Sequence, residues 1–133
     1  MNVTNLELSK QLYELSGWYT DRRWYQVPED NGTTSHEVVK TGEIVYRNGV
    51  SVGGVISPAY DCGYLLRKLP THTQVRTYYG YHHEPEFSQD ECGSYAYYDY
   101  AQGRYNLYGA TPEDALCLLA IKLFEQGVLT KEK

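Results

Sequence analysis

A chain of 133 residues can bury roughly two thirds of the surface its unfolded form exposes, so residues 1–133 read as one domain needing no disulfide or metal staple. A net charge of −5 excludes a general nucleic-acid binder, and no apolar run exceeds Ala115–Phe124, too short for a membrane-spanning helix. Leu, Ile, Val and Phe form only about a fifth of the residues, close to the level where disorder takes over, so the fifteen tyrosines must supply part of the core.

The first helix is expected over residues 5–16. Thr4 and Glu7 fit a capping box, Leu8, Leu12 and Leu15 recur at helical spacing, and Gly17 is a natural stop. Trp18 and Tyr19 are expected to fold back over it. Trp24–Val27 reads as an extended segment, made an edge strand by Pro28, before the turn chemistry of Glu29-Asp30-Asn31-Gly32. His36–Lys40 reads as a further strand. Glu43–Arg47 and Val50–Val55 flank Asn48-Gly49, a two-residue hairpin turn in which both positions want positive φ.

A second helix is expected over 58–69, with Ser57 as cap, Pro58 at its first position and Pro70 closing it. Nine tyrosines then fall between Tyr78 and Tyr108. Thr73–Tyr81 reads as one long strand, His83–Gly93 as a loop, and the following segment as a hairpin turning at Gln102-Gly103. Alternation puts Ala96, Tyr98, Tyr100, Tyr105 and Leu107 on a core face. Tyr95, Tyr97, Asp99, Arg104, Asn106 and Tyr108 share the other face. The last helix, over 112–126, is capped by Thr111, begins at Pro112, carries Glu113 and Asp114 at the positive end of its dipole, and ends at Gly127. This order gives an α+β fold: an antiparallel sheet of four or more strands with three helices packed mainly on one face. The expected core includes Leu8, Leu12, Leu15, Leu65, Leu66, Leu69, Leu116, Leu119, Ala120, Leu123 and Phe124.

Three segments carry a family resemblance: Asn5-Leu6-Glu7-Leu8-Ser9-Lys10 through Gly17-Trp18, Pro58-Ala59-Tyr60-Asp61-Cys62 through Leu69-Pro70, and Thr111-Pro112-Glu113-Asp114-Ala115 through Gly127-Val128-Leu129. In this order and spacing they resemble small accessory proteins encoded by tailed bacteriophages and prophages. The likeness covers the three helices and implies origin rather than chemistry. It points to a protein working in the bacterial host cytoplasm and carries no catalytic residue with it. A chain that leads from Met1 straight into a helix, with three cysteines and no close Cys spacing, suits that reducing compartment.

Catalytic patterns are weak. His82-His83 with Glu84, Glu86 and Cys92 lacks zinc spacing, and adjacent strand residues point to opposite faces. Cys62 and Cys117 lie on apolar helix faces, and Cys92 sits beside Asp90 and Glu91; neither setting favours a thiolate. Gly53-Gly54 is followed by no Lys-Ser/Thr, so no phosphate loop is present.

Two groups suit binding. Arg22, Arg23 and Trp24 place guanidinium groups beside an aromatic ring, the chemistry that holds a phosphate and stacks a base. The alternative for them is an exposed connection with Trp24 closing the core. Arg76, Tyr78, Tyr95, Tyr97, Arg104 and Tyr108 form a polar, aromatic sheet face, rich in the residue types of binding surfaces. Its alternative is a solvated sheet face.

The expected function is therefore non-enzymatic, without metal or cofactor. An oligomeric phage counter-defence protein would hold a nucleotide-derived host immune signal in Tyr/Arg-lined sites. The alternatives are an acidic inhibitor of a host defence protein or nuclease, and a virion or assembly component.

Overall fold

Helix α1 (Leu6–Ser16) starts on Asn5, whose Oδ1 accepts the Leu8 N–H at 2.9 Å. The expected cap, Thr4, is used otherwise. It is fully buried, its backbone N–H donates to the Tyr60 carbonyl at 2.8 Å, and its Oγ1 accepts the Tyr60 N–H at 3.2 Å. A residue suited to capping is thus captured by a partner 56 positions away. Gly17 ends the helix as expected, its N–H donating to the Tyr13 carbonyl. Trp18 folds back, meeting Phe124 edge-on at 5.3 Å between ring centroids. Tyr19 turns onto Tyr13 at 5.2 Å and stays largely exposed. The computed structural model describes residues 2–78, 93–100 and 103–131, with the backbone alone for Tyr78 and Tyr100.

Strands β1 (Arg22–Pro28), β2 (Thr34–Lys40) and β5 (Gly54–Pro58) form an antiparallel sheet in the order β2-β1-β5. Against the expectation from Pro28, β1 is the central strand. Pro28 is its last residue, opposite Thr34, where a missing N–H interrupts little. β3 (Tyr46–Arg47) and β4 (Val50–Ser51) form the anticipated hairpin, with φ of 54° at Asn48 and 79° at Gly49. It is shorter than its sequence suggests, because the chain bends at Gly53 and continues as β5 against β1. Val45 and Val52 from this region pack on Tyr25, Val27 and Val39 of the first sheet, a small second core.

Helix α2 (Cys62–Lys68) begins four residues after the expected Pro58. Ser57 and Pro58 finish β5 opposite Trp24 and Arg23, and the cap is Asp61, which accepts the Tyr64 N–H at 2.8 Å. Strand pairing has overridden a sequence that suits a helix start equally well.

β6 (Gln74–Tyr78), β7 (Gly93–Tyr100) and β8 (Gly103–Gly109) form a further antiparallel sheet, ordered β6-β7-β8. The α+β class holds. Among the described residues, however, the strands make sheets of three, two and three rather than one sheet of four or more. A turn at Gln102-Gly103 would pair Tyr97 with Tyr108 and Tyr100 with Tyr105, but the β7–β8 register is shifted from this by two residues: Tyr97 faces Asn106 and Tyr100 faces Gly103. An even shift preserves side-chain parity, so both face assignments survive it. Tyr79–Tyr81, the His82–Cys92 cluster and the turn at Gln102 lie outside the described residues.

Helix α3 (Pro112–Glu125) packs along the inner face of this sheet on one side and on α1 and α2 on the other. Leu116, Leu119, Ala120 and Leu123 are fully buried among Leu12, Tyr60, Leu65 and Ala96. Leu66 is the exception to the expected core, being 40% exposed on the outer side of α2. Asp114 joins two helix starts: its carboxylate accepts the Asn5 backbone N–H at 2.8 Å and the Asn5 amide at 3.2 Å. No described helix is long and apolar enough to cross a membrane.

Thr111 caps α3 as expected, its Oγ1 accepting the Asp114 N–H at 3.1 Å. Thr111→Ala should therefore lower stability by about 1 kcal/mol, read as a shifted urea midpoint with an unchanged slope. An unmoved midpoint would show that the hydroxyl does not support the helix.

Candidate functional site

The outer face of the third sheet is built by alternation. Register places Gln74 beside Tyr97 and Arg76 beside Tyr95 across β6–β7. Across β7–β8 it places Tyr95 beside Tyr108, Tyr97 beside Asn106 and Asp99 beside Arg104. The opposite face carries Val75, Ala96, Tyr98, Tyr105 and Leu107 into the core around α3. Burying that face against the helix therefore fixes which side chains are displayed.

Three rings and two cations meet there. Tyr95 stacks on Tyr97 at 5.9 Å and tilts against Tyr108 at 5.8 Å. The Arg104 guanidinium lies 4.3 Å from the Tyr97 ring centre and that of Arg76 lies 5.8 Å from it. Such contacts contribute about 0.5–1 kcal/mol each when exposed. Tyr97 is only 5% exposed and donates its hydroxyl proton to Gln74 Oε1 at 2.7 Å. It is the floor of the site rather than a free stacking platform, which alters the role expected for it.

The two arginines differ electrostatically. Arg104 donates to both Asp99 oxygens, at 2.6 and 3.3 Å, and this carboxylate tightens its hold on its proton. Arg76 is exposed and forms no ion pair among the described residues. The face thus offers an uncommitted guanidinium, two half-buried rings (Tyr95 and Tyr108), and the amide of Asn106. Tyr78 closes the same row at backbone level, opposite Gly93. Gln74, the partner that fixes the Tyr97 hydroxyl, is not among the expected site residues; its place two residues before Arg76, on the same face of that strand, is the available signal.

Arg22, Arg23 and Trp24 lie in the other three-stranded sheet and do not join this face. Nor do all three converge: neighbouring strand residues point apart, so Arg23 leaves the face that Arg22 and Trp24 share. Arg23 lies over the Tyr19 ring at 5.6 Å, with its Nε buried and unpartnered. Trp24 donates its indole N–H to the Thr4 carbonyl at 3.1 Å, holding the start of α1. Arg22 stands opposite Lys40 on the face that Trp24 shares with Val38.

The described thiols are poor nucleophiles. Burial, with Glu113 beside it, pushes the Cys62 thiol up to about 12; its Sγ donates to Glu113 Oε2 at 2.8 Å. Burial also pushes the Cys117 thiol up. Among the described residues no group of His, Cys, Asp and Glu is placed to hold a metal ion. No known protein family, curated protein or solved structure matches the chain.

Proposed function

We propose that this is a bacteriophage accessory protein that captures a nucleotide-derived host immune signal on the outer face of the third sheet, without converting it. The observation carrying this reading is the asymmetry of the two arginines: both contact Tyr97, yet among the described residues only Arg104 has a carboxylate partner. An uncommitted guanidinium beside half-buried tyrosines suits a phosphate next to an aromatic base. Open sheets that display aromatic side chains are an established way to stack bases, each stack contributing on the order of 1–3 kcal/mol. The base would rest on Tyr95 and Tyr108, the phosphate on Arg76, and Asn106 would meet polar edges. The raised thiols support binding over covalent chemistry.

A second reading, inhibition of a host defence protein, is favoured by the openness of the same face. Tyr and Arg at the centre of a sheet are the residue types that dominate protein interfaces.

Calorimetry against cyclic mononucleotides, cyclic dinucleotides and ADP-ribose derivatives separates the two. The expected result is stoichiometric binding of one class, with the ligand recovered unchanged by mass spectrometry after heat release. Arg76→Gln should weaken it at least tenfold while leaving the melting temperature within a few degrees. Binding of none, with a stoichiometric protein captured from infected cells, would replace the first reading by the second. Turnover of the ligand would overturn both.

A further inference from the structure

The first sheet carries a separate charge arrangement that its own folding does not explain. Antiparallel register sets Arg22 directly opposite Lys40, with Trp24 opposite Val38 and Gln26 opposite His36 on the following rungs of the same face. Side chains directly opposite start about 4.5–5.5 Å apart at Cβ, and like charges in that position destabilise a sheet. A counter-ion would remove the cost, yet neither cation forms an ion pair among the described residues. This is notable in a chain with 17 acidic and 12 basic residues. Within β1 and β2 that face carries no acidic residue: Glu37 is on the opposite side and, with Glu29, is held by Arg47 at 2.8 and 3.4 Å, while Asp21 and Glu43, which flank the rung along the chain, form no ion pair with it among the described residues.

We propose that the Arg22–Lys40 rung is an anion site that takes a phosphate group, independent of the Tyr/Arg face of the third sheet. Two adjacent cations match a phosphate dianion in charge. A guanidinium supplies a planar fork of donors and an ammonium supplies a movable point charge, the usual pair for phosphate oxygens. The next rung lies about 7 Å along the strands and is lined by Trp24 and Val38, which gives an organic substituent an apolar floor. Gln26 and His36, both exposed, provide donors one rung further. The shared chemistry is a phosphate, free or as a monoester.

The test is thermal melting and calorimetry of the full chain with inorganic phosphate and with phenyl phosphate, against sodium chloride at matched ionic strength. Phosphate should raise the melting temperature above the chloride control. Arg22→Gln and Lys40→Gln should each weaken binding at least tenfold. Lys40→Glu, which places opposite charges on the rung, should abolish the phosphate response and raise the melting temperature in phosphate-free buffer. Arg76→Gln should bind phosphate like the wild type. Tighter binding of phenyl phosphate would assign a monoester with its substituent over Trp24 and Val38, and equal binding a free phosphate. A phosphate effect no larger than that of chloride would overturn the site, as would one that survives both Arg22→Gln and Lys40→Glu or one lost in Arg76→Gln.

Discussion

Leu119→Asp is expected to abolish folding. Leu119 is fully buried in α3, in the cluster that joins this helix to α1, α2 and the third sheet. A carboxylate there has no cation within the cluster to pair with, and an unpaired buried charge costs several kcal/mol against a total stability of about 5–15 kcal/mol. Circular dichroism should show no cooperative melt. Leu119→Met, which keeps the volume, should cost less than about 1.5 kcal/mol. A folded Leu119→Asp protein with a near-normal transition would show that α3 is not the element on which the core is built.

The second large effect is expected at Gly53, where the chain leaves the β3–β4 hairpin and enters β5. Its φ is +80°, and a Cβ added there would lie 1.9 Å from the Gln26 carbonyl oxygen and 2.8 Å from the Tyr25 ring. Gly53→Ala must therefore strain the backbone and push β1 and β5 apart, costing about 3 kcal/mol from the two causes together. Gly54→Ala is the internal control, since its Cβ would meet nothing within 4 Å and its φ is not in the left-handed region. Urea denaturation of the pair should separate them clearly. Equal midpoints would contradict the close approach at Gly53.

The contrast between these neighbouring glycines shows what a sequence can and cannot reveal. Gly53-Gly54 reads as a turn or bulge, but which glycine is indispensable depends on Gln26, a residue brought alongside by long-range pairing. Thr4 and Ser57 make the same point. Each fits a helix cap locally, and each is claimed by a contact outside its own segment, leaving Asn5 and Asp61 to cap. Where local and tertiary preferences agree, as at Thr111-Pro112 and Asn48-Gly49, the elements begin and turn where the residues say they should.

The candidate face was legible for a different reason. Strand parity depends only on even or odd spacing, so the displayed set Tyr95, Tyr97, Asp99, Arg104, Asn106 and Tyr108 tolerated a two-residue error in register. Depth and pairing were not legible. That Tyr97 lies under two guanidinium groups, and that Asp99 neutralises one of them, follows from who stands opposite whom. Likewise, Arg22-Arg23-Trp24 look like one cluster along the chain but divide between two sides of β1. The partner that matters for Arg22, Lys40, becomes visible only once Thr34–Lys40 is folded back along Arg22–Pro28 through the Asn31-Gly32 turn chemistry.

Backbone amide chemical-shift mapping, with the bound nucleotide titrated into labelled protein, tests the capture surface most directly. Saturable shifts should centre on Arg76, Tyr95, Asn106 and Tyr108, and should vanish in Arg76→Gln while the rest of the spectrum stays unchanged. Saturable shifts centred elsewhere, with this face silent, would contradict it.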